Sequence, residues 1–284
     1  MSGDFLADMA RSSRARSAAS QAKLPERELR ARVADLPAAP PLKLRDFDLI
    51  AEVKLRSPAM GLLKQAGEDV GERAGTYARA GAAAVSILTE PSRFDGSLED
   101  LVAGARALSP LQVPAMRKDF LVDAYQVLEG RAAGAGGVLA IIRMLSRPEL
   151  ERLVDSALEL GMFVLLEAFD APDIELAHLL VNARRERRDL LLVGVNSRDL
   201  ATLKVVPGRL DALASSLPVD VKRVAESGVA TPEDAARAAA NGYDVALVGS
   251  ALMSSPDPAL LARTMLAEAR AAVEMRAALV AGRA

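Results

Sequence analysis

Cysteine and tryptophan are absent from this chain, and His178 is its only histidine. Without cysteine there is no disulfide, no iron–sulfur ligation and no thiolate nucleophile, a composition that suits a reducing, cytoplasmic setting. One histidine rules out both a His-rich metal site and a Ser-His-Asp triad. Its place beside Leu179 and Leu180 in a helical pattern reads as core packing or plain surface exposure. Aromatic residues make up only 3% of the chain, which argues against a base-stacking platform for nucleic acid. No apolar run approaches the ~20 residues that span a bilayer. The N-terminus lacks the apolar core of a secretory signal, and Asp4 and Asp8 among Arg11, Arg14 and Arg16 argue against a transit peptide. With 36 basic and 38 acidic residues the net charge is −2, so no global field draws the chain to nucleic acid or an anionic membrane.

What is present is a core. The 284 residues are 51% hydrophobic, enough for one large α/β domain or two small ones. Residues 4–22 read as an amphipathic helix, and Leu36-Pro37-Ala38-Ala39-Pro40-Pro41 as a stiff linker. Beyond it the text repeats one rhythm: a short apolar, often β-branched run, a polar loop, then a capped helix. Strands are predicted near 49–54, 84–88, 113–117, 138–142, 163–167, 190–195, 221–226 and 244–248. Ser97 with Asp100, Asp123 with Gln126, and Ser146 with Glu149 fit capping boxes. Thr231 with Asp234 resembles one more loosely. Gly81, Gly134, Gly161 and Gly242 stand where helix C-terminal stops belong. Strands alternating with helices imply parallel pairing, and eight such units fit a (β/α)8 TIM barrel better than an open doubly wound sheet. No Gly-x-Gly-x-x-Gly follows the first strand, which weakens the dinucleotide-binding alternative. Arg184-Arg185-Glu186-Arg187-Arg188 reads as a solvated helix end.

In such a barrel the chemistry gathers at the C-terminal strand ends. Glu52 and Lys54, two apart on the first strand, share a face. Alone they read either as an edge ion pair or as an acid–base pair. Further along, the ends carry Ser86, Lys118, Glu167, Asn196 with Arg198 just beyond, and Glu226; the fourth strand ends without a charge. Buried ionisable groups are costly unless paired or functional, and this many on separate strands point to one functional mouth. Ser227-Gly228 and Gly249-Ser250 after the last two strands read as a phosphate cradle, or as plain β-to-α turns. A glycosidase would leave the lysines unexplained. A Schiff-base aldolase using Lys54 or Lys118 stays open. Burial is expected to draw a lysine pKa toward neutrality, suiting a proton donor.

Several segments together resemble the indole-3-glycerol phosphate synthase family. They are Ile50-Ala51-Glu52-Val53-Lys54 with Ser57-Pro58, Ser86-Ile87-Leu88-Thr89-Glu90 with Phe94-Asp95-Gly96-Ser97, and Arg117-Lys118-Asp119-Phe120. Gly194-Val195-Asn196-Ser197-Arg198, Ala225-Glu226-Ser227-Gly228 and Val248-Gly249-Ser250 complete the set. The resemblance implies a TIM barrel over residues 42–284 with a helical extension and linker, residues 1–41, packed over its mouth. It implies cofactor-free ring closure, decarboxylation and dehydration of 1-(2-carboxyphenylamino)-1-deoxyribulose 5-phosphate in tryptophan biosynthesis, by a cytoplasmic monomer or weak homodimer.

By the same resemblance Lys118 is the general acid, while Glu167 and Lys54 share the dehydration with Glu52 as base or as Lys54's partner. Asn196 and Glu226 orient sugar hydroxyls, and Arg198 lies near the anthranilate carboxylate. Phe120 packs on the aromatic ring. Ser57, Ser227, Gly228, Gly249 and Ser250 hold phosphate. Two departures stand out: Ala59-Met60 where the family usually has Ser and Lys, and Phe169 where it commonly has His. They leave open a paralogous phosphosugar barrel with a shifted substrate, or a non-catalytic barrel that binds a phosphorylated ligand.

Overall fold

The computed structural model describes residues 5–63, 68–200 and 202–281. Eight parallel strands close into a barrel: β1 (Asp48–Val53), β2 (Ala84–Leu88), β3 (Ala115–Lys118), β4 (Gly137–Ile141), β5 (Phe163–Ala168), β6 (Leu191–Asn196), β7 (Lys222–Glu226) and β8 (Val245–Val248). Each lies within two residues of its predicted bounds. Closure comes from β8 pairing with β1, with Ile50 opposite Leu247. An antiparallel ribbon, Arg56–Ser57 with Gly61–Leu62, rises from the end of β1.

Two helices precede the barrel, α1 (Phe5–Lys23) and α2 (Glu26–Ala34). The helices that follow the strands are α3 (Val70–Arg79), α4 (Leu98–Leu108), α5 (Ala124–Ala132), α6 (Arg147–Glu159), α7 (Ala171–Ala183), α8 (Arg209–Leu213), α9 (Pro232–Ala240), α10 (Ser250–Ser254) and α11 (Pro258–Ala281). Their caps explain where they start. The Ser97 hydroxyl accepts from the Asp100 N–H at 3.0 Å, and the Glu149 carboxylate reaches back to the Ser146 N–H at 2.9 Å. Thr231 and Asp234 exchange the same pair of bonds. The Asp123 box is different: Asp123 caps through the Tyr125 N–H, while Gln126 Oε1 accepts from Val122. Gly81, Gly134, Gly161 and Gly242 all take positive φ, between 69° and 104°, where a β-carbon would be strained.

Strand alternation divides the core in two. Odd-numbered Leu49, Ala51 and Val53 of β1 face the helices, whereas Ile50 faces the barrel interior with Met116, Leu139, Leu165, Leu192 and Val224. This interior is an apolar floor. Glu52, Lys118, Glu167 and Glu226 each follow a floor residue (Ile50, Met116, Leu165 and Val224) by two positions and share its face, whereas Asn196 stands four beyond Leu192 with Gly194 between them. These polar groups therefore sit on hydrocarbon at the mouth.

Residues 5–41 wrap the barrel from top to bottom. The packed face of α1 is Met9, Ser13 and Ser17 rather than the apolar stripe expected of an amphipathic helix. Polar anchors replace it: Arg16 forks onto Asp119 at 2.9 and 2.7 Å, and Gln126 Nε2 donates to Ser13 at 2.9 Å. The Leu29–Val33 edge of α2 packs on Tyr125 and Leu128 of α5. The proline linker then passes Gly136, whose missing β-carbon would stand 2.5 Å from the Pro40 carbonyl oxygen. His178 is partly exposed, a ring nitrogen 2.9 Å from the Ser216 carbonyl oxygen. In the arginine run, Arg184 pairs with Asp155 at 2.6 Å and Arg188 with Asp220 at 3.6 Å.

Candidate active site

A cavity of about 270 Å³ opens at the C-terminal ends of the strands, and all thirteen site residues proposed from the sequence line it. At the end of β1 the Lys54 ammonium lies 2.7 Å from Glu52 Oε1. Across the mouth the Lys118 ammonium, from β3, stands 3.7 Å from Glu167 Oε2 and 4.0 Å from Glu226 Oε2. Asn196 Nδ2 donates to the other oxygen of Glu167, and its own Oδ1 accepts from the Arg198 N–H at 2.9 Å. The Arg198 guanidinium donates to the Leu203 carbonyl at 2.7 Å, bracing the loop after β6. Ser86, the remaining polar strand-end residue, is fully buried below this ring and does not line the cavity.

Mutual electrostatics set the charges. Burial raises the Glu52 pKa, but Lys54 and Lys118 outweigh it and hold the group below the usual carboxylate range. Burial also raises Glu226, and there the neighbouring Glu167 adds to it, so its pKa lies well above a normal glutamate's despite Lys118. For Lys118 the sequence expectation fails. Burial lowers its pKa, yet Glu167, Glu226 and Glu52 more than offset this, so the ammonium is held more firmly than in water. Desolvation arguments from sequence omit these neighbours, and they decide the sign. Among the described residues, Glu167 Oε2 and both oxygens of Glu226 are buried and find no hydrogen-bond partner.

One end of the cavity is made of turns. Ser227 and Gly228 take φ of 62° and 77°. At Ser227 the left-handed backbone stores of order 1–3 kcal/mol, the kind of strain that persists where the surroundings over-determine it. Here Ser197 does so, donating its hydroxyl to the Ser227 carbonyl at 2.8 Å. Gly249 and Ser250 begin α10 beside them. Gly249 has a second reason to be glycine: a β-carbon would lie 2.3 Å from Glu52 Oε1 and 2.9 Å from Lys54 Nζ.

The opposite wall is apolar. Phe120 meets Phe5 of α1 edge-on, with centroids 5.8 Å apart at 78°, and Phe94 at 6.1 Å. Leu139 and Ile141 of β4 complete it. Phe5 and these β4 residues escaped the sequence reading because they carry no charge, and Phe94 entered it only as part of a resembling segment, with no role assigned. The uncharged end of the fourth strand was their one signal. The two family departures fall at the periphery. Ala59 and Met60 line the cavity rim, while Phe169 is 3% exposed and lies under the Arg143 guanidinium at 4.7 Å. Arg143 in turn pairs with Asp173 at 2.7 Å.

Comparison with known proteins agrees with this geometry. The family described as indole-3-glycerol phosphate synthase matches residues 8–265. A protein of that name from a Nocardioides species is 43% identical over 253 residues, 85% of this chain and 93% of that one. Another from Dehalococcoides mccartyi is 39% identical over 249 residues, 86% of this chain and 93% of its own. Among solved structures, a thiamine phosphate pyrophosphorylase from Pyrococcus furiosus superposes with a TM-score of 0.58 at 14% identity, covering 80% of this chain and 98% of that one. At that identity it speaks for the barrel fold alone. A match across nine-tenths of the chain, carrying every charged strand end with it, leaves no other placement: the chain belongs to the indole-3-glycerol phosphate synthase family.

Proposed function

We infer that the chain converts 1-(2-carboxyphenylamino)-1-deoxyribulose 5-phosphate to indole-3-glycerol phosphate, carbon dioxide and water. The observation that carries this reading is the division of one cavity into three parts: a charged ring of two lysines and three glutamates, an aromatic wall, and a turn-built end. These match the substrate's reacting chain, its anthranilate ring and its phosphate.

In this reading the ring carbon bearing the carboxylate attacks the keto carbon, and the carbonyl electron pair moves to oxygen, which takes a proton from Lys118. Carbon dioxide leaves, and its bonding pair restores the aromatic ring. The new hydroxyl then departs as water with a proton from Lys54, while Glu167 removes one from the adjacent methylene and the indole double bond forms. Each positioned proton transfer contributes typically 10²–10⁴-fold. Glu52, held below the usual carboxylate range, is a weak base near neutrality and serves as the ion-pair partner of Lys54, 2.7 Å away. Asn196 orients Glu167, Glu226 takes the sugar hydroxyls, and Arg198 faces the anthranilate carboxylate. Phe120, backed by Phe5, holds the ring. Ser57, Ser227, Gly228, Gly249 and Ser250 hold the phosphate.

Residues 1–41 are assigned to a helical extension and 42–284 to the catalytic barrel, a division supported by the contacts of α1 with Phe120 and Asp119. A monomer or weak homodimer is expected, and a chain without cysteine suits the cytoplasm. The test is fluorescence. The product is an indole and the protein has no tryptophan, so turnover appears as rising indole emission on adding the substrate; a flat trace overturns the reaction.

A further inference from the structure

The proposed mechanism gives Gly194 no task. This residue lies on the inner wall of β6, between Leu192 and Asn196 on the same face, with Glu167 opposite on β5. Its φ is outside the left-handed region, so the backbone does not demand glycine, and glycine in a strand costs stability. A β-carbon there would stand 2.2 Å from Glu226 Oε1, 3.1 Å from Glu226 Cδ and 3.1 Å from Leu165 Cδ1. Ordinary contact begins at 3.4 Å, so the carboxyl would have to retreat by about 1 Å while Leu165 gives a few tenths.

Glu226 needs such a seat. Glu226 is 1% exposed, neither carboxyl oxygen has a hydrogen-bond partner among the described residues, and the nearest ammonium is 4.0 Å away. Neighbouring hydrogen bonds therefore do not hold it in place. We propose that Gly194 is a positioning residue, its missing side chain forming the socket that seats the Glu226 carboxyl beside Lys118. This rests on the role given to Glu226 in the proposed reaction. Gly137 shows the same device used for packing: its vacancy receives the ring of Phe163, 2.4 Å from where a β-carbon would be.

The crystal structure of Gly194→Ala tests the socket without substrate. The Glu226 carboxyl is expected about 1 Å from its wild-type place, with β6 unmoved; an unmoved carboxyl over a shifted strand overturns the proposal. Turnover gives the second readout, with the wild-type trace judging the reaction itself. Gly194→Ala should lower kcat about a hundredfold, as ångström misplacements do, and leave KM within about threefold. Glu226→Asp, shorter by one methylene, relieves the clash. The double variant should therefore recover about tenfold over Gly194→Ala, whereas losses that simply multiply overturn the proposal. Should Gly194→Ala fail to fold, Gly194→Ala with Glu226→Ala decides: recovered folding supports the socket, and continued failure overturns it.

Discussion

Asparagine in place of Asp119 probes how the N-terminal helix is tied to the reacting groups. The Asp119 carboxylate is wholly buried between Lys118 and Phe120, two cavity residues. Oδ1 accepts from Arg16 Nη2 at 2.7 Å and from the Phe120 N–H at 2.8 Å. Oδ2 accepts from Arg16 Nη1 at 2.9 Å, Thr89 Oγ1 at 2.8 Å and Arg117 Nη2 at 3.4 Å. An amide keeps the shape but turns one of these acceptors into a donor, and either orientation leaves Arg16 half of its fork. Removing one side of a buried ion pair costs about 3–5 kcal/mol. Arg117 keeps the Gln126 carbonyl at 2.6 Å and Glu129 at 3.2 Å, and Arg16 is 26% exposed, so the lower end applies. We expect a loss of about 3 kcal/mol in urea unfolding at pH 7.

The pH dependence has a definite sign. Burial raises the Asp119 pKa, but Arg16 and Arg117 outweigh it and hold it below the usual value. Its contribution is therefore whole above the unfolded carboxylate pKa, about 3.9, and is lost as the pH falls through the lower folded value. The gap between wild type and variant should be full at pH 7 and close in acid. With Arg16 loosened, Phe5 loses its hold on Phe120 and KM should rise. A gap below about 1 kcal/mol at pH 7, or one that persists unchanged in strong acid, would refute the argument.

Three further changes test the same geometry. Lys118→Ala should nearly abolish indole formation while circular dichroism stays native; activity within about tenfold of wild type would remove Lys118 from the acid role. Gly249→Ala pushes a methyl into the Glu52–Lys54 pair, and kcat should fall by about tenfold or more with the fold retained; an unchanged kcat would show that the pair can move freely. Glu226→Gln should gain stability relative to wild type as pH rises. The folded carboxyl holds its proton above the normal glutamate pKa of about 4.3, so wild-type stability drops from there up through the folded value, and the amide has no proton to lose. Melting curves of the two proteins that stay parallel from pH 4 to 9 would refute this.

Period and spacing made part of the molecule legible in its sequence. Residues two apart on a strand share a face, so Glu52 with Lys54, and Glu167 above Leu165, could be read from the text once the strands were placed. Three things were not legible. The partners of a charge come from other strands, so the sign of the Lys118 shift depended on Glu167 and Glu226, 49 and 108 positions away. Uncharged walls leave no mark: Phe5 and Ile141 resemble ordinary core residues until the barrel closes. A vacancy is harder still, since Gly194 reads as a weak strand residue and only coordinates show what occupies its space.

The carboxylates that raise the Lys118 pKa do not disqualify it as the proposed acid. A proton donor is driven by the basicity of its acceptor, and the keto oxygen becomes an alkoxide as the ring carbon attacks, a far stronger base than an amine. Until that point the ammonium acts as a fixed positive charge beside the oxygen. Once the proton has crossed, a neutral amine faces three glutamates, a state the surroundings disfavour, and reprotonation is strongly driven. Glu226 is 4.0 Å away, with its pKa pushed up by burial and Glu167, and is placed to relay that proton. Lys118 and Glu226 thus form one charge unit. Lys118→Ala and Glu226→Gln together should lose less activity than the product of their separate losses, because either change alone already breaks the cycle.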